Sequence, residues 1–234
     1  MGTYGTPQLE VIACTVADAV AAQKGGASRL EIVRNLEQGG LTPSFELVRE
    51  IRETVDLPLR VMVRESVGFE TCDEDEIHTL CEAARKFAML RVDGLVLGYL
   101  KDGSVDLALC ERILNCAPNL NATFHHAFED ANDQIQALME IKRLAQVDRI
   151  LSSGSSDSLA RKVEQFELYQ RLASPEIGII AGGGIDLKAI EILISVTKIR
   201  EFHVGRAARL DNQADGEVMT ELVSELVRKV KSIK

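Results

Sequence analysis

The stretch Gly178-Ile179-Ile180-Ala181-Gly182-Gly183-Gly184-Ile185, followed by Leu187–Ser195 and then by Glu201-Phe202-His203-Val204-Gly205-Arg206, decides the fold. A short apolar run breaks into glycines, a segment of helical period follows, and a second short run again ends in glycine. A crossover of that length returns the chain to the same end of a sheet, so the two runs are expected to lie parallel. Working outward in both directions, the same unit recurs. Strands are expected near Leu9–Cys14, Ser28–Val33, Pro58–Val63, Gly94–Leu97, Asn121–Phe124, Arg149–Leu151, Gly178–Ala181 and Glu201–His203. Helices are expected over Val16–Lys24, Phe45–Thr54, Glu74–Phe87, Leu107–Asn115, Ile135–Ala145, Leu159–Leu172, Leu187–Ser195 and Glu217–Lys231.

Eight such units can close on themselves. The expected fold is therefore α/β, a single-domain (β/α)₈ or TIM barrel over residues 1–234, a length that suits barrels of about 250 residues. A doubly wound open sheet competes, but its G-x-G-x-x-G turn is missing: the first strand runs into Cys14-Thr15-Val16-Ala17-Asp18. With 46% hydrophobic residues, no Trp and only 4% aromatics, the core must be aliphatic, as parallel strands covered by helices require. A net charge of −9 disfavours nucleic acid and anionic membranes as partners. No apolar run approaches the roughly 20 residues of a membrane span, and Met1–Leu9 lacks the features of a secretory signal, so a cytoplasmic address is expected. A homo-oligomer is compatible with this composition. The five cysteines, Cys14, Cys72, Cys81, Cys110 and Cys116, form no C-x-x-C pair and read as free thiols.

In a barrel the chemistry sits at the C-terminal rim of the strands, and strand alternation says which side chains face the axis. Glu31 lies between Leu30 and Ile32, Arg64 follows Val61-Met62-Val63, and His203 follows Phe202, while Thr123 and His125 flank Phe124. If the apolar neighbours face the helices, Glu31, Arg64, His125 and His203 share one cavity. A carboxylate, a cation and two imidazoles make a workable acid–base set, so these four are the candidate catalytic residues. Each alone could equally be a buried ion pair or a hydrogen-bonded core histidine. His126 has the opposite phase and ranks behind them. The same histidines with Glu31 could ligate a metal, but no local spacing enforces it.

The glycine turns point to an anion. Gly183 and Gly184 after the seventh strand, with Gly205 and Arg206 after the eighth, could bring backbone N–H groups and a guanidinium to a phosphate or carboxylate. Ser152-Ser153-Gly154-Ser155-Ser156 after the sixth strand is a third candidate, with Ser153 and Gly154 at its centre. Gly25-Gly26 and Gly39-Gly40 read as turns, and Thr42-Pro43-Ser44 reads as a helix entry.

Several segments, taken in order, resemble the CutC family, named for copper homeostasis: Gly25–Glu31, Gly39–Ser44, Asp93–Gly98, Thr123–Phe128, Asp148–Gly154, Gly182–Ile185 and Glu201–His203. The resemblance implies the barrel fold, a cytoplasmic protein and an association with copper. It also marks departures. Ile12 and Val33 stand where the family commonly has cysteines, Met62-Val63-Arg64-Glu65-Ser66 stands for a Met-Ile-Arg-Pro-Arg run, and His126 stands for an arginine. Three readings stay open: copper binding or handling, a barrel enzyme acting on a small phosphorylated or carboxylated metabolite by acid–base chemistry, and a binding protein for a small anion.

Overall fold

A computed structural model describes residues 6–71, 73–154 and 158–232. Eight parallel strands close into a barrel: Gln8–Ala13, Arg29–Ile32, Leu59–Met62, Gly94–Leu97, Asn121–Phe124, Val147–Ser152, Gly178–Ala181 and Glu201–Val204. Each pairs with its neighbour in the chain, and the ring closes where Leu9 registers with Phe202 on the eighth strand and Val11 with Leu30 on the second. Helices Val16–Gly25, Phe45–Thr54, Glu74–Ala88, Leu107–Leu114, Gln134–Ile141, Leu159–Ala173, Leu187–Val196 and Thr220–Lys231 follow the strands in turn. Among the described residues no helix is long and apolar enough to cross a membrane.

Short side chains start most of these helices. Thr15, Ser44, Asp73, Asp106, Ser158 and Asp186 each accept a hydrogen bond from a first-turn backbone N–H, satisfying donors that the helix itself cannot. Thr42, expected as a possible cap beside Ser44, does something else: its hydroxyl accepts from the Arg64 N–H and donates to the Arg64 carbonyl, both at 2.9 Å.

Two elements depart from expectation. After the fifth strand the chain makes a short helix, Ala127–Asp130, before Gln134–Ile141, because Asp133 caps a new start there. After the fourth strand a hairpin pairs Leu100–Lys101 with Ser104–Val105 across Asp102-Gly103. Both turn residues have positive φ, +52° and +74°, the geometry that a two-residue hairpin turn demands.

Alternation splits the strands cleanly. Leu9, Val11, Leu30, Ile32, Leu59, Val61, Leu95, Phe124 and Phe202 point to the helices and are at most 1% exposed, each worth about 1.5–3 kcal/mol of burial. Inside the barrel Ile12, Val33, Met62 and Val96 form a small apolar plug. Toward the N-terminal end the interior is ionic: Arg29 pairs with Glu10 and with Glu201 at 2.9 Å, Glu201 with Arg149 at 2.8 Å, and Asp148 with Arg149 and, at 2.8 Å, with Arg60. Such a chain adds little net stability over a well-packed apolar filling, but each member depends on its partners.

Candidate functional site

A cavity of about 550 Å³ opens at the C-terminal end of the strands, above the apolar plug, and its size suits a small metabolite. Glu31, Arg64, His125 and His203, from four different strands, all line it.

His203 is the hub. Its Nδ1 meets Glu10 Oε1 at 2.7 Å and its Nε2 meets Glu31 Oε2 at 3.3 Å, so the ring is held between two carboxylates. Burial alone would raise the Glu10 carboxyl, but the Arg29 charge and the hydrogen bond from His203 overcome it and hold Glu10 well below the ordinary range. Glu31 goes the other way. Burial pushes it up, more than the His203 charge pulls it down, and its Oε1 has no partner among the described residues. Burial would lower His203, yet the Glu31 charge and the Glu10 hydrogen bond lift it above the usual imidazole value. With Nδ1 against the ionised Glu10, His203 Nε2 faces Glu31, and both groups line the cavity.

His125 is the opposite kind of imidazole. Its Nδ1 accepts from the Ala127 N–H at 3.2 Å, which places the ring proton on Nε2, a buried donor without a partner among the described residues. Burial, and then the charge of Arg64, drive its pKa far below the ordinary value, so it stays neutral. A neutral Nε2–H donor suits an oxygen that gains negative charge. Gly98 makes the ring's room, since a Cβ there would lie 2.8 Å from His125 Nδ1.

Arg64 is clamped from behind. Thr42 fixes its backbone, Gln38 O accepts from Nη2 at 2.7 Å, and the Phe69 ring lies under the guanidinium at 5.3 Å and beside His125 at 5.2 Å. Phe69 is in turn tied to the unforeseen hairpin through the bond from Leu100 N–H to Phe69 O, 2.8 Å. The Gly39–Thr42 turn, read as structural, is therefore also what aims Arg64.

Gly183, Gly184, Gly205 and Arg206 line the same cavity, and no carboxylate pairs with Arg206 or Arg64 among the described residues. Gly184, at φ +75°, faces open space. Ser153 and Gly154 are not part of this lining. The Ser153 amide and hydroxyl and the Ser152 hydroxyl all donate to Glu129 Oε1, the two hydroxyls at 2.8 and 2.9 Å, so the chain's own carboxylate occupies that turn. The Gly154 N–H goes to Ser152 Oγ. Ser155, Ser156 and Cys72 lie outside the described residues.

Two carboxylates escape a reading of strand ends: Glu10, in mid-strand, and Glu129, the partner of the second-ranked His126. Glu129 Oε2 meets His126 Nδ1 at 3.0 Å, which turns a second carboxylate-backed imidazole toward the cavity. Burial would raise the Glu129 carboxyl, but the His126 hydrogen bond and charge and the Ser153 donors bring it down to about 2. A carboxyl with a depressed folded pKa stabilises above its unfolded value and loses that contribution as pH falls. Glu129→Gln should therefore cost at most about 3 kcal/mol at neutral pH, with the gap to wild type closing between about pH 4.5 and 2 in denaturant melts. A constant gap across that window would show that Glu129 is not charged in the folded protein.

Donor chemistry limits what metal the cavity could hold. Glu10, Glu31 and His203 offer ligand atoms within 4.8 Å of one another, an oxygen and nitrogen set for a hard or borderline divalent ion. Monovalent copper prefers sulfur, and here Ile12 and Val33 fill adjoining positions of the cavity floor with hydrocarbon. Among the described residues the sulfurs near them are the Met62 thioether and Cys14, whose thiol burial pushes up to about 11 and which accepts from Arg209 at 3.5 Å.

The sequence pattern of the CutC family matches residues 7–208. A CutC family protein of Xanthomonas campestris pv. campestris is 36% identical over 196 residues, covering 83% of this chain and 81% of that protein. A CutC structure from Streptococcus agalactiae, a protein named for copper homeostasis, superposes with a TM-score of 0.79 at 27% identity over 86% of this chain and 98% of that one. Phosphoribosyl anthranilate isomerase from Thermotoga maritima, TM-score 0.64 at 12% identity over 97% of this chain and all of that one, shares the fold alone. The chain belongs to the CutC family.

Proposed function

We propose that this protein is a barrel enzyme that holds a small anionic metabolite under Arg64 and moves a proton on it through the Glu31–His203 pair. The observation that carries the proposal is a contrast within one cavity: a protonatable Glu31–His203 pair backed by ionised Glu10, beside a neutral His125 with an unspent N–H. Environments that push neighbouring titratable groups apart are what assign acid and base roles. Arg64, with Arg206 and the Gly183–Gly184 amides, holds the negative group; His125 Nε2–H stabilises the oxygen on which charge develops; Glu31 takes or returns the proton, and His203 relays it. Glu10 and Arg29 touch no substrate and keep His203 in one orientation.

Copper handling is the reading that the family name favours. The cavity supports it poorly, because the two positions that would bring thiols to its floor are Ile12 and Val33. A binding protein without turnover would need the anion-holding groups but no proton relay.

Mass spectrometry of small molecules released from the purified protein tests the proposal. The expected result is a retained phosphorylated or carboxylated compound that is lost in Arg64→Ala and that, after long incubation, is chemically changed by wild-type protein but not by His125→Ala or Glu31→Gln. A compound that wild-type protein also leaves intact would mean binding without catalysis.

A further inference from the structure

The groups that can take negative charge in the cavity do not converge on one point. In the closed ring of eight strands the third and the seventh are four places apart in either direction, so they face each other across the barrel. Arg64 stands just beyond the third, and Gly183 and Gly184 just beyond the seventh. Arg64 does not reach across: its Nη2 donates to Gln38 O at 2.7 Å and lies 3.2 Å from where a Cβ on Gly39 would be, so the guanidinium is pinned to its own wall. The consecutive histidines divide in the same way. The His125 ring lies 5.2 Å from Phe69, on the Arg64 side, whereas His126 Cε1 is 3.2 Å from where a Cβ on Gly183 would be. Each pole has unspent donors of its own kind. At the Arg64 pole they are buried: Arg64 Nε and His125 Nε2 have no partner among the described residues, and both side chains belong to residues at most 5% exposed. At the opposite pole they are open: the Gly183 and Gly184 N–H groups have no acceptor among the described residues, and exposed Arg206 lines the cavity from the adjoining eighth strand. Asp186 lines this side too, but its carboxylate accepts from the Ala189 N–H at 2.8 Å. On the arc of the ring between the two poles sit His203 and Glu31, on the eighth and second strands.

We propose that the metabolite of this cavity carries two anionic groups, a phosphate monoester held by Gly183, Gly184, Arg206 and His126 and a carboxylate held by Arg64 and His125, with its carbon chain crossing the barrel past Glu31 and His203. Desolvation decides which end goes where. A phosphate monoester carries more charge than a carboxylate and costs more to strip of water, so it takes the open pole, where backbone N–H groups and a guanidinium meet it while part of its hydration stays. A carboxylate is flat and singly charged, and the buried Arg64 Nε and His125 Nε2 offer one donor for each of its oxygens. The carbon beside that carboxylate is then the one presented to Glu31. This substrate class, a phosphorylated carboxylic acid, rests on the reading of the cavity as an acid–base site for an anionic metabolite and divides the charge held there between two groups.

The test uses the full chain labelled with nitrogen-15 and two small probes, inorganic phosphate and glycolate, titrated singly and together. Phosphate is expected to shift the amide resonances of Gly183, Gly184 and Arg206, and glycolate those of Phe69 and the His125 ring. Saturation with either should leave the affinity for the other unchanged. Arg206→Ala, at an exposed position, should weaken phosphate about tenfold or more, the worth of a charged hydrogen bond, and leave glycolate alone. Arg64→Ala should weaken glycolate alone, and Arg64→Lys, which keeps the charge and loses the fork, serves if the alanine variant does not fold. Probes that displace each other, probes that move one common set of resonances, or a protein that responds to neither would overturn the proposal. The result is separable from that of the proton-transfer reading: both poles filled at once, with no retained compound ever changed, would keep the two-anion site and remove the enzyme, whereas mutual displacement in a protein that does turn over its metabolite would do the opposite.

Discussion

Replacing Glu31 by Gln should leave a folded barrel that no longer turns over its metabolite, with kcat lower by about 10²–10⁴-fold, the ordinary worth of a positioned general acid or base. The side chain is buried, one oxygen faces His203 and the other faces no protein group among the described residues, so an amide of the same shape strands little. What it removes is the exchangeable proton. Because burial holds the carboxyl above its usual pKa, Gln also removes a buried group that resists ionisation. Glu31→Gln is therefore expected to melt at or slightly above the wild-type temperature at neutral pH. Loss of turnover with retained affinity, read as a kcat effect at unchanged KM, is the signature of a group acting on the reacting atoms. Unchanged kcat would remove Glu31 from the chemistry.

Glu10→Ala should do the reverse, costing stability first. Glu10 joins Arg29 and His203 in the barrel interior, and all three are at most 6% exposed. Its loss leaves a buried guanidinium and imidazole short of one anion, an error of about 3–5 kcal/mol for broken buried pairs. The lower end is expected, since Arg29 keeps Glu201. The pH dependence has a definite sign. The depressed Glu10 contributes stability above about pH 4.5 and loses it as pH falls, so the deficit of Glu10→Ala should shrink on acidification. His203, raised in the folded state, contributes below about pH 6.5 and loses that as pH rises through its folded value, and Glu10→Ala should flatten this alkaline decline as well. Urea melts across that range measure both arms. A deficit independent of pH would mean that Glu10 acts by packing alone.

How much of this was legible in the sequence varies with the range of the interaction. The barrel follows from local periodicity: Gly94–Leu97, Asn121–Phe124 and Gly178–Ala181 are bounded by residues that stop strands, and the structure ends them there. Alternation also places Glu31, Arg64, His125 and His203, because each has an apolar neighbour buried against a helix. Glu10 obeys the same rule between Leu9 and Val11, and only attention confined to strand ends passes it over. The hairpin at 100–105 announces itself by Asp102-Gly103, but its two-residue strands are too short for any periodicity. Glu129 is different in kind. Nothing local marks it as the carboxylate that fills the Ser152–Ser153 turn, since its partners lie 23 and 24 residues away and meet it only through closure of the barrel.

The distinct protonation of the two cavity imidazoles is the quantity on which the functional account rests, and nitrogen-15 NMR of the histidine rings as a function of pH measures it without a substrate. His203 is expected to keep both ring protons past its ordinary midpoint near pH 6.5, while His125 remains a neutral Nε2–H tautomer far into acid. Two rings that titrate together near pH 6.5, or a His125 protonated on Nδ1, would contradict it.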